Sequence, residues 1–519
     1  MPFHGACIEH IWCPSTERSD AGRDTAPATP PHPLFEDTRL YRRDPQLARG
    51  KNQLTLDDQK ITKLRREEDG VPARPAVWRP GIDGMDADEE LEYDPSVYDC
   101  LHAWQLDWPC LSFDVMRDEM GDDRESFPHS LFAIAGTQAD IPHKNHLTMM
   151  RLTRLKKTRR GGDKGASEES KMDDDSDASD DSESDSEGNE GGVAPVNGPI
   201  IQVQKISHHG AVNRIRSCPT RPSLVATWGE TGVVQVWDMS PQLTKLSMLT
   251  ADAKDAGSAM NQVPQRTAPR HAFTGHADEG YALDWSPTVD ARLVTGDNAG
   301  GIHVWEPMEG GRWNVDKSSV YSGHESSVED LQWSPAEAQV FASAGADGYV
   351  CVWDARTHAT PALKVKTHDT DVNVMSWNRV ANCMLATGAD DGGLRIWDLR
   401  MFSPSETKFV ANFQFHRAPV TSVEWSRFDS AMLATASADH TVCIWDLAVE
   451  RDAEEEAAAM AADDNAVAPD DLPPQLMFVH QGLKDPKELH WHHQIPGLVL
   501  TTAADGFNAF KAYNVGPGC

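Results

Sequence analysis

The sequence predicts an all-β fold in which repeated four-stranded sheets close into a ring. Five segments place a histidine twenty-nine residues before a tryptophan, at His208–Trp237, His276–Trp305, His324–Trp353, His368–Trp397 and His416–Trp445. Four of them carry a further tryptophan nine residues after the histidine. Each unit contains strand-like stretches with apolar residues on both faces, such as YVCVWD at 349–354. One such sheet cannot bury its own faces, so the units must pack against each other around a closed ring.

The repeat spacing indicates how many sheets, or blades, the ring contains. The five units begin 44 to 68 residues apart, which fits blades of about 40–45 residues with insertions. This pattern resembles the WD-repeat β-propeller family. A sixth, degraded unit at 479–513 retains His480 and Asp505, with Lys511 in place of the tryptophan.

A seventh unit comes from the N-terminal side. Its four strands are predicted at 109–116, 130–137, 146–155 and 199–207. The stretch SVYDCLHAW at 96–104 is expected to pair as the outer strand of the last blade and so close the ring. The predicted fold is therefore a seven-bladed WD-repeat β-propeller.

Composition divides the chain further. The run from Lys171 to Gly192 is rich in carboxylates and small polar residues and has no aromatic residue, so it cannot form a core. We predict a disordered N-terminal extension at 1–74, an ordered lead-in segment at 75–95 and the propeller at 96–515. Two acidic insertions are expected, a disordered loop at 161–196 within blade one and a second loop at 449–475 before the last blade.

The charge balance narrows the class of partner. The chain has 48 Lys and Arg against 81 Asp and Glu, a net charge of −33. Such a chain repels nucleic acid and anionic membrane surfaces and attracts cationic proteins. No run of eighteen apolar residues is present, so no membrane span is expected. The nine scattered cysteines suggest a reducing compartment.

Three blades repeat a set of a histidine, a hydroxyl residue, an aspartate and a tryptophan. The sets are His324, Ser343, Asp347 and Trp353; His368, Thr387, Asp391 and Trp397; and His416, Thr435, Asp439 and Trp445. Asp, His and Ser together are the composition of a catalytic triad. Because three blades repeat the set with a tryptophan as fourth member, we interpret it as a structural hydrogen-bond network.

Other sites of chemistry are weakly indicated. His4, Cys7, His10 and Cys13 stand three residues apart, but uniform spacing in a terminal segment without a folded context is poor evidence for zinc. The chain has no phosphate-binding loop of the G-x-x-x-x-G-K type, no H-E-x-x-H and no G-x-S-x-G. We therefore expect no catalytic residue, no metal site, no cofactor and no enzymatic activity.

The acidic insertions are the predicted partner-binding segments. In the first, the candidate residues are Asp173, Asp174, Asp175, Asp177, Asp180, Asp181, Glu183, Asp185 and Glu187. In the second they are Asp470, Asp471, Leu472, Pro473 and Pro474. The alternative is that both are solvated loops that only increase solubility.

Several motifs point to a narrower family. YALDWSP at 281–287, SVEDLQWSP at 327–335, VTSVEW at 420–425, IWDLAVERD at 444–452, PCLSFDV at 109–115 and KELHWH at 487–492 together resemble the glutamate-rich WD-repeat family, which includes a fungal regulator of ribosome biogenesis. The resemblance covers about residues 75–515. It implies a role in the nucleus and nucleolus in large-subunit assembly, with a basic large-subunit ribosomal protein, number three, as cargo, and histone binding in the vertebrate member.

Two further resemblances leave alternatives open. DDLPPQLMFVHQG at 470–482 is similar to the loop with which histone-chaperone propellers hold a histone helix, although the long N-terminal helix of those proteins is not evident. WDAR at 353–356 and WDLR at 397–400 are similar to motifs of propellers that recruit substrates to cullin-type ubiquitin ligases, with Arg356 and Arg400 as possible adaptor contacts. The sequence therefore predicts a non-enzymatic chaperone or assembly factor for a basic ribosomal protein. A histone-binding propeller and a ligase substrate receptor are the alternatives.

Overall fold

The computed structural model describes residues 62–63, 76–77, 91–92, 97–158, 199–249, 262–357, 360–405, 408–450 and 472–515. The chain divides into two compact units, Met1–Tyr93 and Asp94–Cys519. In the first unit β1 (Thr62–Lys63) pairs antiparallel with β2 (Ala76–Val77) and with β3 (Leu91–Glu92). The rest of this unit, including His4 and its neighbouring cysteines, lies outside the described residues, so the boundaries at 74 and 95 remain predictions.

In the described part of the second unit, seven antiparallel sheets confirm the predicted seven-bladed propeller. After the closing strand β4 (Tyr98–Trp104), blade one contains β5 (Cys110–Met116), β6 (His129–Thr137), β7 (His146–Leu155) and β8 (Ile200–Ser207). Blade two contains β9 (Val212–Cys218), β10 (Arg221–Gly229), β11 (Val234–Asp238), helix α1 (Ser240–Met248) and β12 (His271–Phe273). Blade three contains β13 (Leu283–Trp285), β14 (Leu293–Gly296), β15 (Gly301–Met308), β16 (Arg312–Asn314) and β17 (Tyr321–Ser322).

The remaining four blades follow in chain order. Blade four contains β18 (Val328–Trp333), β19 (Val340–Gly345), β20 (Tyr349–Asp354) and β21 (Leu363–Lys366). Blade five contains β22 (Val372–Trp377), β23 (Met384–Ala389), β24 (Leu394–Asp398) and β25 (Ala411–Phe413). Blade six contains β26 (Val420–Trp425), β27 (Met432–Ser437), β28 (Thr441–Asp446) and β29 (Leu476–His480). Blade seven contains β30 (Pro486–Trp491), β31 (Val499–Ala503) and β32 (Gly506–Ala512), with β4 as its outer strand.

Pairing of β4 with β32 closes the ring, as the sequence predicts. The pairing is antiparallel and aligns Trp104 with Phe507. Their rings stack with centroids 5.4 Å apart. The Tyr98 hydroxyl lies 2.8 Å from Nδ1 of His480 on the neighbouring blade six. The first and last strands of the propeller therefore share one sheet, which removes a free seam from the ring.

A hydrogen-bonded chain of four side chains runs through the interior of blade four. Trp353 Nε1 donates to Ser343 Oγ at 2.8 Å, and Ser343 Oγ lies 2.6 Å from His324 Nε2. His324 Nδ1 is 3.0 Å from Asp347 Oδ1. Since a carboxylate only accepts, Nδ1 carries the proton and Nε2 accepts from the serine hydroxyl. The buried donors of the tryptophan and the histidine are thereby satisfied inside the sheet.

Blade six has the same chain, and blade three has one that the sequence analysis missed. In blade six the distances are 2.9 Å from Trp445 to Thr435, 2.7 Å from Thr435 to His416, and 3.0 Å from His416 to Asp439. In blade three, Trp305, Thr295, His276 and Asp297 make the equivalent contacts at 2.8–2.9 Å. His276 precedes its aspartate by 21 residues instead of 23, and this shorter spacing concealed the set.

Blade five corrects the prediction for Asp391. Trp397 and His368 contact Thr387 Oγ1 at 2.9 and 2.8 Å, as in the other blades. His368 Nδ1, however, is 4.0 Å from Asp391 Oδ1, which is too long for a hydrogen bond. Asp391 instead accepts from the backbone N–H of Gly393 at 2.9 Å. The network of blade five therefore has three members.

The seven inner strands line a central channel, and side chains that face this channel bond each blade to the next. In each case a side-chain oxygen accepts a backbone N–H of the neighbouring inner strand. The pairs are Ser112 with Ile215, Asp114 with Ser217, Asp284 with Trp333, Asp330 with Met375, Gln332 with Trp377, Ser376 with Trp425, Ser422 with Leu489, Glu424 with Trp491 and Glu488 with Phe113, at 2.7–3.2 Å. Between blades two and three, Arg214 Nε donates to the Tyr281 carbonyl at 2.8 Å. We call this set the channel belt.

The charged members of the channel belt neutralise each other. Glu488 is 1% exposed and accepts from Arg214 and Arg216 at 2.7 Å each. Burial would raise its pKa, but Arg216, His490 and Arg214 outweigh burial and hold the pKa of Glu488 well below its usual range. His490 Nδ1 is 3.0 Å from Glu424 Oε2. Burial opposes its charge, yet Glu424 and Glu488 raise the pKa of His490 to about 9.

We predict that Asp439→Ala lowers the free energy of unfolding by about 1–3 kcal/mol, because His416 loses its buried acceptor. Asp391→Ala is the matched control and should cost clearly less, since His368 lies beyond hydrogen-bond distance. Although burial opposes it, the bond from His416 lowers the pKa of Asp439 to about 2. Its stabilisation is therefore complete above the unfolded-state pKa of about 4 and is lost as the pH falls through about 2. Urea unfolding measures both variants; equal losses would contradict the assignment.

We predict a loss of stability on the alkaline side that depends on His490. Its pKa of about 9 lies above the unfolded value of 6.5, so its contribution is complete below pH 6.5 and disappears as the pH rises through 9. His490→Gln should therefore unfold more easily than wild type at pH 6 and approach it at pH 10. Urea unfolding at both pH values measures the difference. A difference that does not change with pH would show that the His490 imidazole is not charged.

Candidate functional site

The channel belt defines the two faces of the ring. Its bonds join residues in the same order on neighbouring strands, Ser112 with Ile215 and Asp114 with Ser217, so the inner strands run parallel. We call the face where the inner strands begin the top face. Antiparallel pairing within each blade places there the connections between blades and the turns between second and third strands. The turns between first and second and between third and fourth strands lie on the bottom face.

The first acidic insertion begins and ends at the bottom face. Its predicted partner-binding residues, Asp173 to Glu187, lie outside the described residues. The insertion joins β7 to β8, the third and fourth strands of blade one. Before it, the Thr158 N–H donates to the Asp99 carbonyl at 2.9 Å. Lys157 Nζ lies 3.7 Å from the Asp99 carboxylate, so the basic stretch ahead of the insertion runs beside the closing strand.

The second insertion also starts from the bottom face, because it joins β28 to β29 in blade six. Asp470 and Asp471 lie outside the described residues. Leu472, Pro473 and Pro474 form a half-buried turn, and the Pro473 carbonyl accepts from the Leu476 N–H at 3.0 Å. Gln475 ties the two ends of the loop together, since its carbonyl accepts from Asp446 N at 2.8 Å and its side chain donates to the Val449 carbonyl at 3.0 Å.

Arg356 and Arg400 occupy equivalent turns on the bottom face. Their side chains are 67% and 52% exposed, and each donates from Nε to an aspartate two residues earlier, Asp354 or Asp398, at 2.9 Å. These bonds from the arginines lower the pKa of both aspartates. One edge of each guanidinium is thus engaged within its own turn, and a ligase adaptor would have to contact the remaining exposed surface.

The described carboxylates of the top face concentrate on blades three to five. We call this group the acidic sector. Its members are Asp278, Glu279, Glu325, Glu329, Asp347, Asp369, Asp371, Asp390 and Asp391. They come from loops between blades, from the turns between second and third strands, and from the start of β18. Lysines meet only one side of it, where Lys364 lies 3.3 Å from Asp347 and Lys366 lies 3.1 Å from Asp369.

Carboxylates of the acidic sector repel each other. Burial raises the pKa of Glu329, and the charges of Asp371 and Asp390 raise it further. The pKa of Asp371 is raised by burial and by Asp390 and Asp347. Burial, together with Glu279 and Glu329, raises the pKa of Tyr281 to about 12. A cation placed here would relieve this repulsion, so the acidic sector favours a positively charged partner.

The sequence analysis missed the acidic sector because its members come from three blades and no run of charge joins them. A signal was nevertheless present, since turns such as Gly345–Gly348 and Ala389–Gly393 repeat aspartates at one position in each blade. Once the blades are aligned, these positions fall on one face. Charge has to be read blade by blade to find it.

Within the described residues, other kinds of site are not found. No group of three or more His, Cys, Asp or Glu there could hold a metal ion. No helix among them is long and apolar enough to cross a membrane. The network residues, including His324 and His416, are buried inside blades and satisfied by each other.

Two family profiles match the chain. The profile described as WD domain, G-beta repeat, matches residues 316–354, 360–398 and 407–446, which correspond to blades four, five and six. The profile described for the histone-binding protein RBBP4 and the equivalent component of the CAF1 complex matches residues 88–156. That range covers the closing strand and the first three strands of blade one.

Three relatives match over most of their length. The chain is 48% identical over 450 residues to glutamate-rich WD repeat-containing protein 1 of Dictyostelium discoideum, covering 86% of each chain. It is 46% identical over 459 residues to protein HEAT STRESS TOLERANT DWD 1 of Arabidopsis thaliana, covering 87% of this chain and 95% of the relative. It is 40% identical over 469 residues to ribosome assembly protein rrb1 of Schizosaccharomyces pombe, covering 88% and 89%. The chain therefore belongs to the family of glutamate-rich WD-repeat and rrb1-type ribosome assembly proteins.

Proposed function

We propose that this protein is a non-enzymatic chaperone or assembly factor that binds a basic protein of the large ribosomal subunit and shields it before assembly. The acidic sector is the observation that carries the proposal. It holds nine carboxylates on one side of the top face, and repulsion raises the pKa of Glu329 and Asp371. The name of the fission yeast relative, a ribosome assembly protein, supports this kind of cargo and a place in the nucleus and nucleolus.

Charge gives such a factor two separate effects. Each exposed ion pair contributes only about 0–1 kcal/mol, so affinity requires many pairs or additional shape recognition. The net charge of −33 acts at longer range and raises the association rate of a cationic protein. It also opposes the approach of RNA, so cargo bound to this surface is kept away from premature RNA contacts.

The two acidic insertions supply the capture element of the proposal. The carboxylates from Asp173 to Glu187 belong to a segment whose ends are anchored in blade one. Such an insertion costs little stability, because loop-closure entropy grows only with the logarithm of length. Asp470 to Pro474 would add a second contact beside blade six. The rigid top face would then provide shape recognition.

Histone binding is the second candidate function, because the profile described for histone-binding proteins matches residues 88–156. Histones are also basic, so the acidic sector suits them equally. A role as substrate receptor of a cullin-type ligase would use Arg356 and Arg400 on the bottom face. Parallel binding measurements with the large-subunit ribosomal protein number three and with core histones distinguish the first two.

We predict that Glu329→Gln, Asp371→Asn and Asp390→Asn together weaken binding of that ribosomal protein by at least about threefold. The melting temperature should not fall, because the substitutions remove repulsion within the acidic sector. The matched control neutralises Glu119, Asp123 and Glu125, three exposed carboxylates of the bottom face. Calorimetric titration at two salt concentrations measures both variants. Equal weakening by the control would show that only net charge matters.

We predict that deletion of 166–192 slows association of the same ribosomal protein and flattens its dependence on salt, while the melting temperature hardly changes. The removed charge no longer steers the cargo, and the ends of the insertion remain anchored in blade one. Stopped-flow association at low and high salt measures the effect. If the deletion variant associates as fast as wild type at low salt, the insertion is a solubilising spacer.

A further inference from the structure

The bottom mouth of the channel is basic, in contrast to the chain as a whole. Two positions after the tryptophan that ends an inner strand, or its equivalent, the side chain lies at this mouth. In blades five, six, seven and one the residue is Arg379, Arg427, His493 and Arg117, and in blades two, three and four it is Pro219, Pro287 and Pro335. The four basic residues line one cavity of about 120 Å³. Four consecutive blades thus form a basic arc.

Two members of the arc lack a partner of opposite charge. Arg379 is exposed and Arg427 is half-buried, and neither makes a hydrogen bond or ion pair within the described residues. The Nε of Arg427 is buried and without a hydrogen-bond partner in that part of the chain. Burial and the nearby charge of Arg379 lower the pKa of Arg427 to about 9. Two guanidinium groups in one cavity with unmet N–H donors are unfavourable unless an anion joins them.

The carboxylates of the cavity do not fill this role. Glu424 is engaged by His490 and by the Trp491 N–H. Asp114 accepts from Ser217 N–H at 2.7 Å and from Val115 N–H at 2.8 Å. Burial raises the pKa of Asp284 to about 7, which leaves it only partly charged at neutral pH. The arginines therefore remain available to a bound anion.

We propose that the bottom mouth of the channel binds a phosphate group, held by Arg379 and Arg427. Planar guanidinium groups donate pairs of parallel N–H bonds that match a tetrahedral oxyanion. The pKa of His493 is held well below its usual range by burial and by Arg427, so this ring stays neutral and can donate one further N–H. The phosphate comes either from free phosphate or from a phosphorylated side chain of another protein, since both present the same group.

Calorimetric titration of the full chain with inorganic phosphate, at constant ionic strength, tests the proposal. We expect saturable binding by wild type and at least tenfold weaker binding by Arg379→Gln with Arg427→Gln. The matched control, Arg356→Gln with Arg400→Gln, removes the same charge from the same face outside the cavity and should change affinity less than twofold. Arg379→Gln alone alters an exposed residue, so it reports on the site even if the double variant unfolds.

The outcomes separate the source of the phosphate from the existence of the site. A phosphoserine peptide that binds at least tenfold tighter than inorganic phosphate, and loses this advantage in Arg379→Gln, identifies a phosphorylated protein as the ligand. Equal affinities identify free phosphate. Absence of saturation in wild type, or equal losses in the cavity and control variants, would overturn the proposal.

Discussion

The channel belt is the interaction on which the rest of the structure depends. The inner strand of every blade is the edge of its sheet, and its outward N–H groups would otherwise face the channel without a partner. Side chains such as Asp330 and Glu488 accept these N–H groups from the next blade. Because a buried donor without an acceptor costs about 1–3 kcal/mol, each junction requires a polar residue at these positions. The channel is therefore polar because the ring must close.

The belt also explains why buried charge is tolerated at one junction. Glu488 contacts two arginines, and it accepts from the first inner strand as well as from Ser112. A buried ion pair seldom adds stability over an apolar replacement, but removing one member leaves the other charge uncompensated. Glu488 also lies at the junction between blade seven and blade one, where the two ends of the propeller meet. Its charge thus ties closure of the ring to a specific pair of blades.

Much of the fold could be predicted because the repeat is a local property. The spacing from His324 to Trp353 reports one blade's own turns and strands, and even Tyr98–Trp104 was identified as the closing strand from its pattern. Prediction failed where the outcome depends on neighbours. At Asp391 the spacing is intact, yet Arg395 lies near His368 and helps to lower its pKa, and the aspartate turns to Gly393 instead. Nothing in the spacing reports that environment.

The functional surfaces show the same limit at a larger scale. Net charge follows from composition alone, so the sequence could predict the sign of the partner. Screening confines exposed charges to about 8 Å in physiological salt, so contact depends on which carboxylates share a face. Closure of the ring places Glu329 and Asp390 together on top and gathers Arg379 and Arg427 at the bottom mouth. Because the same blades carry opposite charge on their two faces, a cationic cargo and an anionic ligand can bind without competing.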